Sequence, residues 1–93
     1  MNEIKQMLLK AGFGRRVSAM PFAFTKGDIS VRWGAGVRPR VQFDVGDIVV
    51  STQDITQAKA LAEALVDPSF MTACITFDWA RPIVEFVLTK GAQ

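Results

Sequence analysis

The feature that most limits the fold is a stretch between positions 22 and 50 in which apolar side chains occupy every second position. The stretch divides into four short runs, separated by glycine-containing segments: 22–25, 29–33, 41–45 and 48–51. Because successive side chains of a β-strand point to opposite faces of a sheet, each run predicts a strand with one apolar face. The dipeptides Lys26-Gly27 and Gly46-Asp47 predict tight hairpin turns. The sequence therefore predicts a meander of four antiparallel strands.

The predicted turns determine which residues lie opposite each other in the meander. The first hairpin is predicted to pair Phe24 with Ile29. The next two pairings join Phe43 to Val31 on one side and to Val50 on the other. All of these pairings put the large apolar residues on the same face, and a slip of one residue would scatter them between the two faces.

Two helices are predicted to cover the apolar face of this sheet. The first has apolar residues at the helical spacing i, i+3, i+4, i+7 over positions 4–11. The second begins at Asp54, whose side chain can cap the helix while Gln57 completes a capping box. Asp67-Pro68 ends the second helix, because the residue before a proline disfavours helical geometry.

The C-terminal third is predicted to form a second hairpin, in which apolar residues alternate over 73–79 and 84–88. The last run has an alternative interpretation as a helix, with Pro82 in its first turn and Gly91 at its end. Its β-branched residues favour the strand. The expected class is α+β: an antiparallel sheet, made of a β-meander plus a C-terminal hairpin, with two helices in the order α-β-β-β-β-α-β-β. Residues 1–93 are expected to form a single domain.

Composition excludes several kinds of chemistry. The chain has 93 residues, with no histidine and one cysteine, Cys74. Catalysis by a serine or cysteine paired with histidine is therefore excluded, and so is an internal disulfide. We expect a protein that is not an enzyme and that holds no cofactor and no metal. The chain also lacks a signal-peptide pattern and an apolar run long enough to span a membrane, so we expect a cytoplasmic protein without membrane association.

Basic residues are concentrated in the first part of the chain. Residues 1–40 carry eight basic and two acidic side chains, a net charge of +6, whereas residues 41–93 carry three basic and seven acidic ones, a net charge of −4. This asymmetry indicates either a basic binding face or two halves that pair with each other across the fold. The sequence leaves both interpretations open.

The most distinctive loop is the segment 34–40, which contains two glycines, a proline and two arginines. It joins two predicted strands and lacks the strand-to-helix context and the lysine of a phosphate-binding loop. It is therefore either a flexible hairpin tip or a binding loop that presents arginines. Basic residues elsewhere in the first half extend the candidate partner-binding set, which is Arg15, Arg16, Arg32, Gly34, Gly36, Arg38 and Arg40.

The leading functional hypothesis is a small protein-binding domain that acts by covering the surface of a protein partner. One specific form is an inhibitor that a phage or mobile element directs against a host nucleic-acid-handling complex, as anti-CRISPR proteins do. The alternatives are direct nucleic-acid binding through the basic residues of 15–40, and a homo-oligomeric structural or assembly subunit. The chain is expected to be a monomer or a homodimer.

An RNA-binding sheet that stacks bases on aromatic side chains is disfavoured by the predicted register. The aromatic residues of the strands are all assigned to the face that the helices cover: Phe22, Phe24, Trp33 and Phe43. Arg32 is assigned to the opposite face. The alternative to partner binding is that the arginines of the first half are solvated and pair with Asp44 or Glu85.

Overall fold

The computed structural model describes residues 2–15, 22–34, 36–37 and 39–91. In chain order the elements are α1 (Asn2–Lys10), β1 (Gly14–Arg15), β2 (Phe22–Lys26), β3 (Ile29–Trp33), β4 (Val41–Val45), β5 (Ile48–Thr52), α2 (Ile55–Val66), two 3-10 helices (Pro68–Cys74 and Asp78–Ala80) and α3 (Arg81–Gly91). The strands form one antiparallel sheet in the order β1-β2-β3-β4-β5. The predicted α+β class is confirmed.

The register of the meander is confirmed at two of its three predicted pairings. Phe43 lies opposite Val31 on β3 and opposite Val50 on β5. The first hairpin was predicted wrongly, because Phe24 lies opposite Val31 and not Ile29. Its turn consists of Gly27 and Asp28, so that Gly27, with φ of +60°, occupies the first turn position. Glycine favours this position because it adopts positive φ without steric strain, and the two-residue shift leaves every side chain on its predicted face.

The first strand was not predicted from the sequence. Gly14 and Arg15 pair with Thr25 and Phe24 on β2 and so extend the sheet by one short edge strand. A run of two residues carries no alternation signal, so only the contact with β2 defines it.

The predicted C-terminal hairpin is wrong. Residues 73–79 belong to 3-10 helices and turns. Met71, Cys74 and Ala80 are buried and Phe77 is half-buried, at intervals of three residues, and Trp79 is also half-buried. This spacing matches the three residues per turn of a 3-10 helix. The apolar alternation in the sequence is therefore not the pattern of burial, and Ile75, which the hairpin would bury, is 56% exposed.

The helical alternative for the last segment is the one that the structure adopts. In α3, Ile83 and Val84 are buried and Val87 is half-buried, which is the spacing of one helix face. Phe86 and Leu88, which the strand pattern would place beside Val84, are partly exposed. The β-branched residues of this segment form a helix because packing against the core outweighs their local preference.

The hydrophobic core lies between one face of the sheet and the helices. Phe24 and Trp33 stack with ring centroids 5.6 Å apart, and Phe43 lies 5.8 Å from the ring of Trp79. The helices contribute further side chains that are almost wholly buried: Ile4, Leu8, Ala58, Leu61, Ala62, Ala64, Ile83 and Val84. Among the described residues, no helix is long and apolar enough to cross a membrane.

Cys74 is part of this core and has no exposed surface. Burial raises the pKa of its thiol, and the negative charge of Glu63 raises it further. Because the thiolate is the reactive form of cysteine, we expect iodoacetamide to modify the folded protein far more slowly than the protein in guanidinium chloride. Mass spectrometry of timed samples would measure both rates. Equal rates would show that Cys74 is accessible in the native state.

Candidate functional site

The helices cover one face of the sheet, and the other face carries mainly small and polar side chains. We call this second surface the open sheet face, and its described residues are Ala23, Thr25, Ser30, Arg32, Gln42, Asp44, Val49 and Ser51. They alternate along the strands with buried residues such as Val31 and Phe43. The position of every one of them follows from the period of two in a β-strand.

Arg32 lies near the centre of the open sheet face and is bound to its neighbours on β4. Its Nη2 donates a hydrogen bond to Oδ2 of Asp44 at 2.8 Å, while Nε2 of Gln42 donates to Oδ1 of the same carboxylate at 3.0 Å. The Arg32 side chain is 39% exposed and that of Asp44 is 22% exposed. Within the described residues, the buried Nε of Arg32 has no hydrogen-bond partner. The arrangement holds one guanidinium edge on the sheet and leaves part of the group exposed.

Arg40 lies on the same face, immediately before β4. Its Nη1 donates to Oγ of Ser51 at 3.2 Å, so its side chain extends across the sheet toward β5. The loop 34–40 thus begins after β3 and returns to the open sheet face at Arg40. Within the loop, Gly36 has a φ of +141°, Val37 is 99% exposed and Pro39 is buried.

The structure does not bring all of the predicted binding residues together. Arg32, Gly34, Gly36 and Arg40 belong to the open sheet face or to the loop beside it. Arg15 lies on the edge strand β1, opposite Phe24. Its side chain is therefore on the face that the helices cover, and not on the open sheet face. Arg16 and Arg38 lie outside the described residues, so their placement stays a prediction.

Among the described residues, the ion pair of Arg32 with Asp44 offsets part of the charge asymmetry, because it joins a base of residues 1–40 to an acid of residues 41–93. Lys59 of α2 pairs with Glu3 of α1 at 2.7 Å, but this pair has the opposite sense and does not offset the asymmetry. The open sheet face and the returning loop have a net charge of only +1 over their described charged residues. These residues are Arg32, Arg40 and Asp44.

The strand aromatic residues are placed as predicted wherever their side chains are described. Phe24, Trp33 and Phe43 are at most 2% exposed. The backbone pairing of Phe22 with Trp33 assigns it to the same covered face. These rings are core residues, and none of the three is available to stack on a base.

Two concave regions lie away from the open sheet face. The first, of about 430 Å³, is lined by Asn2, Glu3, Ile4, Ile55 and Lys59. The hydrogen bond between Glu3 and Lys59, together with their opposite charges, lowers the pKa of the carboxyl and raises the pKa of the ammonium group. The stability that Glu3 contributes is therefore present above its unfolded-state pKa and is lost as the pH falls.

The second concave region, of about 370 Å³, is mostly apolar. It is lined by Lys26, Asp28, Ile29, Val45, Pro68, Phe86 and Val87. Nζ of Lys26 donates to the carbonyl oxygen of Ala11 at 2.7 Å. Sequence reasoning missed this region because α3, which supplies Phe86 and Val87, was predicted as a strand.

Among the described residues, no three His, Cys, Asp or Glu side chains are grouped so that they could hold a metal ion. Comparison with protein-family models, with curated proteins and with solved structures found no match to this chain. The candidate site is therefore interpreted from its own geometry.

Proposed function

We propose that this chain is a non-enzymatic protein-binding domain that contacts its partner with the open sheet face and the loop 34–40. The observation that supports this proposal best is the placement of Arg32 and Arg40 on one face of the sheet, beside a loop in which Val37 is almost fully exposed. Arginine is among the residues enriched at protein interfaces, where its flat guanidinium both packs and donates several hydrogen bonds.

The composition of the open sheet face favours a protein partner over nucleic acid. Nucleic-acid binding depends mainly on phosphate neutralisation by several cations that act together. Here Asp44 pairs with Arg32 and reduces the local positive charge. A surface that mixes cations, a carboxylate, an amide and a valine is better matched to the mixed surface of another protein.

The specific form of the proposal is an inhibitor that a phage or mobile element directs against a host nucleic-acid-handling complex, in the manner of an anti-CRISPR protein. What supports this form is the small size of the chain together with a sequence that lacks histidine-based catalytic residues. Such an inhibitor would act in the cytoplasm by blocking the surface of its target.

The test of this proposal is a charge reversal in the loop. We expect Arg38→Glu with Arg40→Glu to weaken partner capture from bacterial lysate by at least about tenfold, since buried interface arginines contribute strongly to affinity. The matched control is Lys5→Glu with Lys10→Glu, which changes the net charge equally but lies on α1. Both variants should melt close to the wild-type temperature.

The capture is performed with and without nuclease, and bound material is identified by mass spectrometry. A protein captured by the wild type and by the α1 control, but not by the loop variant, supports the proposed site. Equal capture by the loop variant would contradict it. Recovery of nucleic acid alone, with an affinity that falls steeply as salt increases, would instead favour direct nucleic-acid binding through the basic residues of 15–40.

A further inference from the structure

The strand β5 forms one edge of the sheet and is the longer of its two edge strands. Its residues, Ile48 to Thr52, include no proline and no charged side chain. Natural sheets usually protect an exposed edge with such residues, because an unprotected edge pairs readily with another strand. Val49, at the second position of β5, is 58% exposed.

The backbone of β5 has hydrogen-bonding groups directed away from the sheet. Val45 and Ile48 flank a two-residue turn and therefore form a hydrogen-bonded pair. Because such pairs alternate along an antiparallel ladder, Val49 and Ser51 direct their N–H and C=O groups away from β4. Within the described part of the chain, no hydrogen bond from another element reaches these backbone groups.

We propose that two copies of this chain form a symmetric homodimer in which their β5 strands pair antiparallel through these outward-facing groups. In such a dimer the outward-facing residues of one β5 must lie opposite the outward-facing residues of the other. If the two five-residue strands also overlap along their whole length, only one register satisfies this condition. In that register Val49 of each copy lies opposite Ser51 of the other, and the two-fold axis passes beside Val50. Both of these pairs are of the hydrogen-bonded type, so every outward-facing N–H and C=O group of β5 gains a partner.

Charge complementarity supports a second copy as the occupant of this edge. Val41 on β4 lies opposite Thr52 on β5. One step further along this antiparallel pair, Arg40 lies opposite Gln53. In the proposed register, Gln53 in turn lies opposite Asp47 of the second copy. Arg40 and Asp47 of the second copy therefore lie in one cross-strand row, on either side of Gln53. The Arg40 side chain, which already reaches β5, is long enough to extend to that carboxylate. The two-fold symmetry makes this ion pair twice.

The same register brings the exposed Val49 side chains of the two copies close together and joins their open sheet faces. The Val49 side chains of the two copies are diagonal neighbours across the seam, at a spacing where side chains interact. The two open sheet faces also become one continuous surface. The dimer does not depend on the proposed function, because it is formed by backbone groups at the edge of β5. Arg40, Val49 and Ser51 are the residues that both proposals use.

The oligomeric state is measured by light scattering over a range of protein concentrations. We expect wild type to approach twice the protomer mass of 10.2 kDa. Val49→Pro removes an outward N–H group, and Val49→Lys places two like charges near the axis, so both variants should be monomeric. Val37→Lys is the matched control, since it changes another exposed valine that lies away from β5. Circular dichroism confirms that each variant is folded.

A charge exchange tests the register itself. Arg40→Asp alone and Asp47→Arg alone should each weaken the dimer by roughly tenfold, because each creates like-charge contacts at two symmetric positions. The double variant should recover most of the lost affinity. If each single variant weakens the dimer and the double variant does not recover the affinity, the predicted pairing of Arg40 with Asp47 is rejected.

A wild-type protein that stays monomeric at millimolar concentration would overturn the proposal. So would a dimer that persists in both Val49→Pro and Val49→Lys, since it would use another surface. Asp47→Arg weakens the dimer but leaves the open sheet face and the loop 34–40 unchanged, so its partner capture separates the two proposals. Capture by this variant at concentrations where it is monomeric supports the proposed function independently of the dimer.

Discussion

Trp33→Ala is expected to lower the free energy of unfolding by about 3–5 kcal/mol, the largest effect of any single truncation in the sheet. Trp33 is 2% exposed, stacks on Phe24 and lies opposite Val41 on β4. Alanine would remove most of this buried surface, and the surrounding strands cannot collapse fully into the space. A domain of ordinary stability has about 5–15 kcal/mol in total, so the variant would be close to its unfolding threshold.

Equilibrium unfolding in urea, followed by circular dichroism, measures this difference. Val37→Ala is the matched control, because it truncates a side chain that is 99% exposed, and it should change stability by no more than about 0.5 kcal/mol. Should Trp33→Ala prove too unstable to purify, Trp33→Phe keeps an aromatic ring and should show a smaller loss. A Trp33→Ala variant as stable as the control would contradict the placement of this residue in the core.

Glu85→Pro is expected to destabilise the protein by about 3 kcal/mol or more, because proline inside a helix removes a backbone hydrogen bond and clashes with the preceding turn. Glu85 is exposed and lies in the interior of α3, whereas the natural Pro82 lies in the first turn of the same helix. The substitution therefore tests the backbone of α3 with little change in side-chain burial. α3 supplies Ile83 and Val84 to the core, so its distortion should weaken the whole domain.

The control for this prediction is Glu85→Ala, which changes the same side chain but favours a helix. It should leave stability within about 0.5 kcal/mol of wild type or raise it slightly. Thermal unfolding of the two variants and of wild type gives the comparison. Similar melting temperatures for the proline and alanine variants would contradict a helix at this position.

The two proposals assign different parts of the same sheet to different partners. The loop 34–40 and the arginines beside it are proposed to contact a protein target, while the edge of β5 is proposed to contact a second copy. Arg40 lies between these regions, since its side chain reaches from the end of the loop to Ser51. The test that separates the two proposals therefore uses Asp47, which lies outside both the open sheet face and the loop.

The candidate site was predictable where its position depends on alternation. Arg32 and Asp44 were assigned to the face opposite the core, and this assignment is confirmed. The partner of Arg32 was left open between Asp44 and Glu85, and the structure shows Asp44. The position of Arg15 was not predictable, because β1 has only two residues and is defined by its pairing with β2. The apolar concave region beside Phe86 also could not be predicted, since it forms between elements that are distant in sequence.

By itself the sequence determined the meander, its two faces and two of its registers. The physical reason is that a strand buried on one face must repeat its apolar residues with a period of two, and this repeat is visible in any single strand. Only the tertiary structure decided the C-terminal segment. The residues of α3 fit a strand or a helix, with the β-branched side chains favouring the strand, and the apolar alternation over 73–79 is also typical of a strand. The choice between them was made by which side chains, Ile83 and Val84 in particular, the core could bury.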